Sequence, residues 1–334
     1  MRLALNLLTV SATALVLAAL ALPAKEVLDA APRPVAQIPV PGRLFGIYID
    51  PWHLDDWAHD VGATPQLAAK FEAFSNDRTI DKFTQEAERR GITRLLISWE
   101  PWKPVPTRFG IEAQFRAQLG YRNADIARGW QDEYVERFAR GLARFRGIVY
   151  LRYAHEMNGF WYPWSHDARS YRRAWRHVVG LVRHAGARNV RFVWSVNPSL
   201  YVPKRRWLQR LRSYWPGGRY VDVVGVTMIN FGGRKGYTVR RFVPRLRALD
   251  RVYSKPLMIT EANTQYFHRV LWLRNLRRML RQMPWIKAVA WSQLPSRGRA
   301  HLKQVGYLDW NVQQDPPAAA VLRKIIEDAY QPRR

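Results

Sequence analysis

The sequence predicts a single-domain α/β fold, a (β/α)8 TIM barrel over residues 43–330. From residue 44 onward, eight short apolar runs rich in strand-forming residues alternate with amphipathic helical segments. Near-continuous apolar runs are typical of parallel strands that are buried on both faces. The roughly 300 residues that follow the N-terminal segment fit one large barrel. An open doubly wound sheet is the alternative, but no Gly-x-Gly-x-x-Gly motif follows the first strand.

The N-terminal segment, residues 1–24, carries an apolar run after Arg2 with small residues near its end. This pattern resembles a secretory signal peptide, for which we favour cleavage, and an uncleaved membrane anchor is the alternative. In either case we expect the folded part to be exported: secreted, periplasmic or held at the membrane. Residues 25–42 are rich in proline and predict an extended linker.

The barrel prediction depends on eight strands and the helices between them. Tyr171, Trp175, Val178 and Val182 recur at helical spacing and illustrate the helical segments, whose aromatic stripes we interpret as core. The predicted strands are Leu44–Asp50, Lys70–Ser75, Arg94–Glu100, Ile148–His155, Val190–Asn197, Val221–Thr227, Pro256–Glu261 and Ile286–Trp291.

Composition excludes several classes of protein and of chemistry. With 48% hydrophobic and 24% charged residues, the chain is neither disordered nor fibrous. It has no cysteine, which excludes disulfides, thiolate catalysis and cysteine-ligated metal centres. No His-Glu-x-x-His spacing is present, so we expect no metal site. We expect a monomer.

The formal net charge of +28 predicts attraction to polyanions such as an anionic polysaccharide, lipopolysaccharide or a membrane surface. The alternative is that solvated helix faces carry arginine by default, since the arginines run from Arg33 to Arg334 without forming one block. No zinc-finger, recognition-helix or RNA-binding signature is present, so we expect no nucleic-acid partner.

Polar and aromatic residues follow the predicted strands, where a barrel places its functional groups. Glutamates stand at three of these strand ends: Glu100, Glu156 and Glu261. Two carboxylates facing each other across a barrel mouth can cleave a glycosidic bond, one as proton donor and the other as nucleophile or base. Tryptophan rings at the same ends offer flat apolar surfaces for sugar rings. The strand ends therefore predict a glycosidase.

The segment Arg152–Gly159 (RYAHEMNG), followed by Trp161–Trp164 (WYPW), resembles the acid/base motif of glycoside hydrolase family 26. That family contains β-mannanases and some mixed-linkage β-glucanases. The resemblance continues through Ser98–Trp102, Val193–Pro198 and Lys255–Glu261, and it covers about residues 44–326. The order and spacing of these blocks make it specific, whereas His-Glu-Met-Asn-Gly alone would be only suggestive.

The resemblance implies a (β/α)8 barrel that acts as a retaining glycoside hydrolase, similar to a mannan endo-1,4-β-mannosidase, with two glutamates and no cofactor. It implies that Glu156 is the acid/base and Glu261 the nucleophile. Residues implied to line the sugar site are Arg152, His155, Trp161, Trp164 and Trp291. From their places at the strand ends and in the motif, we also expect His53, Trp99, Asn158, Asn197 and Asn230 to contact the substrate. Glu100 is expected to be structural or to lie at the rim.

One position departs from the family pattern, which has a tyrosine followed by asparagine near the nucleophile. Ile229 stands at the tyrosine position here, before Asn230. A tyrosine hydroxyl could hold the nucleophilic carboxylate, and isoleucine cannot, which questions the ordinary mannanase substrate. Ser292 and Asn230 are candidates to compensate.

Three functions therefore stay open. The first, which we favour, is endo hydrolysis of a β-linked mannan, glucan or bacterial exopolysaccharide. The second is a non-catalytic relative that binds polysaccharide, suggested by Ile229. The third is an anchored envelope protein whose basic surface holds an anionic glycan.

Overall fold

The computed structural model describes residues 42–76, 80–105, 118–230, 238–264, 268–293 and 311–330. Its eight strands form one closed parallel barrel in which each strand pairs with its neighbours in sequence and the last pairs with the first. The predicted (β/α)8 fold is confirmed. The predicted signal or anchor, and the linker up to residue 41, lie outside the described residues.

The observed strands match the predicted ones but shift at some ends. The second strand begins three residues earlier than predicted, and the sixth and seventh end three residues later. Glu261 consequently lies inside the seventh strand. The strands are β1 Leu44–Tyr48, β2 Leu67–Ala73, β3 Arg94–Glu100, β4 Ile148–Tyr153, β5 Val190–Val196, β6 Val223–Asn230, β7 Leu257–Thr264 and β8 Ile286–Ser292.

The α-helices form the outer layer and place their apolar faces on the barrel. Within the described ranges, none of them combines the length and the hydropathy needed to cross a membrane. The helices are α1 Leu54–Val61, α2 Asp81–Arg89, α3 Asn123–Ile126, α4 Asp132–Arg144, α5 Ala168–His184, α6 Lys204–Tyr214, α7 Val239–Tyr253, α8 Arg269–Gln282 and α9 Pro316–Tyr330.

Alternation along the strands separates an interior set of side chains from an outer set that faces the helices. Trp99 and Trp291 belong to the outer set and are fully buried. Trp99 stacks on Phe138 of α4 with ring centroids 4.6 Å apart, and Trp291 lies 6.4 Å from Trp272 of α8. The prediction that these two tryptophans contact sugar is therefore wrong, because each sits one residue out of phase with the barrel interior.

A β-bulge in β7 turns a carboxylate into the barrel. Val226 pairs with Ile259, but the next residue of β6, Thr227, pairs with Glu261, so Thr260 is an extra residue in β7. In a regular strand Thr260 and Glu261 would point to opposite faces. Here both reach interior partners in β4 and β5. The bulge thus lets two consecutive side chains of β7 serve one site.

Candidate active site

Arg152 of β4 is the centre of the polar layer at the barrel mouth. It is fully buried. Its guanidinium donates to the hydroxyls of Ser98 on β3, Ser195 on β5 and Thr227 on β6, each at 3.0 Å. Its Nη1 lies 2.9 Å from Oε2 of Glu261 on β7. One side chain therefore links five consecutive strands and holds one of the two predicted catalytic carboxylates.

The charge of Arg152 is maintained although the residue is buried. Burial alone would lower the pKa of its guanidinium, but Glu261, Tyr48, Glu156 and Tyr162 together outweigh this effect, with Glu261 contributing most, and the pKa of Arg152 is raised. A fully buried guanidinium does not touch a substrate, so the prediction that Arg152 contacts sugar is wrong. The side chain of Glu261 keeps 8% of its surface exposed, which leaves the carboxylate an opening toward the mouth.

Glu156 lies in a left-handed backbone conformation just after β4. Its φ is 54°, and that of Ala154 is 43°, a region that non-glycine residues seldom adopt. The turn is held by hydrogen bonds from the Glu156 amide to the Ser195 carbonyl, at 2.8 Å, and from the Gly159 amide to the Glu156 carbonyl, at 2.9 Å. Such strain persists only where the surroundings fix it, and it is frequent at active sites.

The carboxyl group of Glu156 sits in a largely buried place beside Glu261. Trp161 donates from Nε1 to its Oε2 at 3.1 Å. Burial and then the negative charge of Glu261 raise the pKa of Glu156, while Arg152 and hydrogen bonds from Thr227 and Asn197 partly oppose them. The net effect is a raised pKa, as expected for a group that donates a proton near neutral pH.

We expect Glu156→Gln to be more stable than the wild type at neutral pH. A raised pKa means that the folded state binds this proton more tightly than the unfolded state, so losing the proton costs folding stability. That cost is complete above the folded-state pKa and absent below the unfolded value of about 4.3. The gain in Tm should therefore disappear as the pH falls toward 4, measured by thermal unfolding across this pH range.

Glu133→Gln is the control for that comparison, because the Glu133 side chain is 92% exposed. Its Tm should stay within error of the wild type at each pH. A Glu156→Gln protein that is less stable than the wild type at neutral pH would contradict the burial-driven shift.

A packed cluster lies beneath the loop that carries Glu156. His155 is buried, and its Nε2 shares a 2.9 Å hydrogen bond with the hydroxyl of Tyr162 and lies 3.9 Å from Oε1 of Glu100. Trp164 donates from Nε1 to the His155 carbonyl at 2.7 Å and stacks on Tyr162 at 4.3 Å. Both His155 and Trp164 are only 1% exposed. The prediction that they contact sugar is not borne out, because both side chains are enclosed by protein and pack against the loop that carries Glu156.

Two of the predicted asparagines connect neighbouring loops. Asn158 donates to the Asn197 carbonyl at 2.8 Å and accepts from the Asn197 amide at 2.9 Å. It thereby fixes the loop after β4 to the loop after β5, which is a different role from the sugar contact we predicted. Asn230 donates to the hydroxyl of Thr264 at 2.9 Å and is buried, so it joins the ends of β6 and β7.

Three predicted contacts remain accessible. Trp161 is half-buried next to Glu156, and Asn197 is half-buried with its side chain near the same carboxyl. His53 is exposed in the short 3-10 helix that follows β1, Pro51–His53. Sugar contact by these three residues stays a prediction.

The interior hydroxyl groups were missed in the sequence. Ser98, Ser195 and Thr227 contact Arg152, and the Tyr48 hydroxyl lies 2.9 Å from that of Ser98. Each of the first three lies two residues before a residue near the mouth: Ser98 before Glu100, Ser195 before Asn197 and Thr227 before Ile229. That spacing of two was a usable signal, because alternate residues of a strand share a face.

Gly225 of β6 allows the interior hydroxyls of β5 and β7 to meet. A Cβ atom at this position would lie 2.7 Å from Cγ2 of Thr260 and 2.8 Å from Cβ of Ser195. With no side chain between them, the two hydroxyls form a 2.9 Å hydrogen bond across β6. The glycine is therefore part of the support of Arg152, which donates to Ser195.

Ile229 faces the mouth, as its position on β6 two residues after Thr227 requires. It is buried to 9% exposure and pairs with Asn263 of β7. Where the family pattern has a tyrosine to hold the nucleophile, the contact to Glu261 observed here comes from Arg152.

The comparisons with known proteins agree with this geometry. The model of the family described as glycosyl hydrolase family 26 matches residues 125–236, which include Glu156. Endoglucanase H of Acetivibrio thermocellus is 25% identical over 252 residues, 70% of this chain and 24% of that protein. The β-1,3-xylanase TXYA of a Vibrio species is 25% identical over 242 residues, 69% of this chain and 46% of that protein. The chain thus spans less than half the length of either relative.

A family 26 β-mannanase from Bacteroides ovatus, BoMan26A, shares the fold, with a TM-score of 0.59, 18% identity and coverage of 92% of each chain. The family match includes β4, the loop that follows it and β5, which carry Arg152, Glu156 and Ser195 respectively. The barrel and its pairing order are therefore those of the family 26 structure, and over residues 125–236 the chain is similar in sequence to glycosyl hydrolase family 26.

Proposed function

We propose that this protein is a retaining glycoside hydrolase that cleaves a β-linked polysaccharide, with Glu156 as acid/base and Glu261 as nucleophile. The observation that carries the proposal is the electrostatic arrangement of the two carboxyls. Glu261 contacts the buried cation Arg152. Burial raises the pKa of Glu156, and the charge of Glu261 raises it further. One carboxyl group can thus be protonated while the other is ionised.

The reaction follows in two displacements. The carboxylate of Glu261 attacks the anomeric carbon while Glu156 gives its proton to the glycosidic oxygen, which leaves with the bonding electron pair. A glycosyl ester on Glu261 results. Glu156, now ionised, takes a proton from a water molecule whose oxygen attacks the same carbon, and Glu261 is released as a carboxylate. Arg152 positions Glu261 through both steps but does not touch the sugar.

The substrate class is proposed from the relatives and from the mouth. Related proteins bear the names of an endoglucanase, a β-1,3-xylanase and a mannan endo-1,4-β-mannosidase, and the last two names specify β-linked chains. The half-buried ring of Trp161, fixed by its hydrogen bond to Glu156, can stack on a sugar beside the cleaved bond. We therefore propose endo cleavage of a β-mannan or β-glucan, and we propose from the N-terminal segment that it takes place outside the cytoplasm.

The test is the anomeric configuration of the first product. The purified protein is incubated with β-mannan, lichenan and a panel of bacterial exopolysaccharides, and ¹H NMR follows the new reducing ends before they mutarotate. Initial release of the β-anomer supports the double displacement. Initial release of the α-anomer would overturn it, because inversion requires water rather than Glu261 as the nucleophile.

A second candidate, a polysaccharide-binding protein without turnover, is suggested by Ile229 at the tyrosine position. Binding of a glycan in the absence of any new reducing end would support this candidate. The contact from Arg152 to Glu261 favours the enzyme, because it supplies a hydrogen-bond donor to the nucleophile without a tyrosine.

A further inference from the structure

Basic residues are concentrated on one half of the barrel wall. Each of the consecutive helices α5, α6, α7 and α8 carries five arginine or lysine residues, and Asp250 is their only acidic residue. The other long helices, α1, α2, α4 and α9, together carry seven basic and eleven acidic residues. Consecutive βα units are neighbours around a barrel, so the charge of the protein is strongly polarised.

On the half formed by α1, α2, α4 and α9, which we call the balanced half, carboxylates neutralise arginines, and Asp328 of α9 also pairs with Arg277 and Arg281 of the neighbouring α8. Arg137 and Arg140 of α4 each lie 3.4 Å from a glutamate one turn earlier in that helix. Helix α6 contains no acidic residue to play this part. A wall with a large excess of positive charge creates an electric field that attracts polyanions, and salt screens this field.

The basic half reaches the catalytic mouth. Helices of a barrel begin on the side where the strands end, so the first turns of α5 and α6 border the mouth. Arg169 of α5 and Lys204, Arg205 and Arg206 of α6 are exposed there. Arg210 of α6 donates to the Gly159 carbonyl at 2.9 Å, which fixes this helix against the loop that carries Glu156.

Two exposed aromatic side chains lie on the same side of the barrel as these arginine and lysine residues. Phe160, in the loop after β4, is 63% exposed, and Tyr201, in the loop after β5, is 64% exposed. The hydrogen bonds between Asn158 and Asn197 hold these two loops together. We name this surface the basic rim; its members are Phe160, Arg169, Tyr201, Lys204, Arg205 and Arg206. Aromatic rings suit the apolar faces of sugars, and the cationic groups suit carboxylates.

We propose that the basic rim binds an acidic polysaccharide whose sugar units carry carboxylates, and that the β-linked substrate of the adjoining site is such an anionic glycan. The proposal rests on the function proposed above. The acid protonates the leaving oxygen, so the departing part of the chain lies on the Glu156 side of the cleaved bond. The rim adjoins that side, through the loop that carries Glu156.

A polysaccharide fits this surface better than a membrane does. The basic helices follow the curve of the barrel, and a flat bilayer would meet only part of them, whereas a flexible chain can follow the curve. The exposed rings also border the mouth, where a glycan chain must continue beyond the cleavage site.

The experiment compares paired glycans on the full chain. β-1,4-Mannan and a mixed-linkage β-glucan are each used as the neutral polymer and after oxidation of the C6 hydroxyl to a carboxylate. Binding is measured on the Glu156→Gln protein so that no turnover occurs. For whichever of the two polymers the protein binds, we expect the oxidised form to bind about tenfold more tightly than the neutral form at low salt. This preference should decrease as the salt concentration rises.

The matched variants each remove three positive charges. Lys204→Gln/Arg205→Gln/Arg206→Gln alters the rim, and Arg137→Gln/Arg140→Gln/Arg146→Gln alters the balanced half. We expect the rim variant to lose about tenfold in affinity for the oxidised glycan and the control to lose less than about twofold, since exposed charges act mainly at short range. The affinity for the neutral glycan should be the same in both variants as in the protein without these substitutions.

Two results would overturn the proposal: equal binding of neutral and oxidised glycans, or a rim variant that behaves like its control. Anionic phospholipid vesicles are tested in parallel, and rim-dependent binding of vesicles without binding of oxidised glycan would also overturn it, in favour of a membrane. The proposed hydrolysis is judged separately, by turnover in the wild type. Cleavage of neutral glycan with no preference for the oxidised form would refute only the proposal that the basic rim binds an acidic polysaccharide. Selective binding of the oxidised glycan without turnover would refute only the proposed hydrolysis.

Discussion

Glu156→Gln and Glu261→Gln should each lower kcat on unactivated β-linked polysaccharide by about 10³-fold or more. The first variant loses the proton that the leaving oxygen needs, and the second loses the nucleophile. The assay is release of reducing ends under saturating substrate. Folding of both variants is checked by thermal unfolding, for which Glu156→Gln should be at least as stable as the wild type at neutral pH, given the raised pKa of that carboxyl group.

An aryl glycoside separates the two roles. A good leaving group does not need the acid, so Glu156→Gln should release a rapid burst of the aryl alcohol and then turn over slowly, because hydrolysis of the glycosyl ester still needs a base. Glu261→Gln should show no burst. The variant Glu100→Gln should lose much less activity than either, and equal losses in all three would contradict the assignment of two catalytic carboxylates.

The fold was predictable because parallel strands buried on both faces leave a simple pattern. Apolar runs such as Arg94–Glu100 are bounded by polar or helix-forming segments, and their number and spacing indicate a barrel. What the pattern could not show was the local register. The bulge at Thr260 has no signature in sequence, yet it decides that Glu261 faces the interior rather than the helices.

The two carboxylates of the candidate site could be picked out from the sequence, whereas the roles of the surrounding side chains could not. Glu156 and Glu261 stand out because each follows or ends an apolar strand. Sugar contact was predicted for too many aromatic residues. The sequence does not distinguish a tryptophan that faces the barrel mouth from one that, like Trp99, faces the helices. The uneven distribution of charge was also missed, because it becomes visible only when basic and acidic residues are counted helix by helix, over the four consecutive helices between residues 168 and 282.

Arg152→Met should destabilise the protein by about 3–5 kcal/mol, because it leaves the carboxylate of Glu261 buried without its cation. The double variant Arg152→Met/Glu261→Gln removes both charges and should recover part of this loss, measured by denaturant unfolding of all four proteins of the cycle. A double variant as unstable as Arg152→Met alone would show that the guanidinium matters for packing and not for the charge of Glu261.

Arg152→Lys tests the positioning role in catalysis. Lysine keeps the positive charge but has three donors on one atom, whereas the guanidinium reaches Ser98, Ser195, Thr227 and Glu261 in four directions. We expect kcat to fall by about 10²-fold while KM changes little, because the buried side chain holds the nucleophile and does not contact the sugar. A rise in KM with unchanged kcat would instead indicate direct binding of the substrate. Since Ile229 supplies no hydroxyl, this chain should depend on its buried arginine for the orientation of the nucleophile, and Ile229→Tyr in the Arg152→Lys background should restore part of the lost kcat.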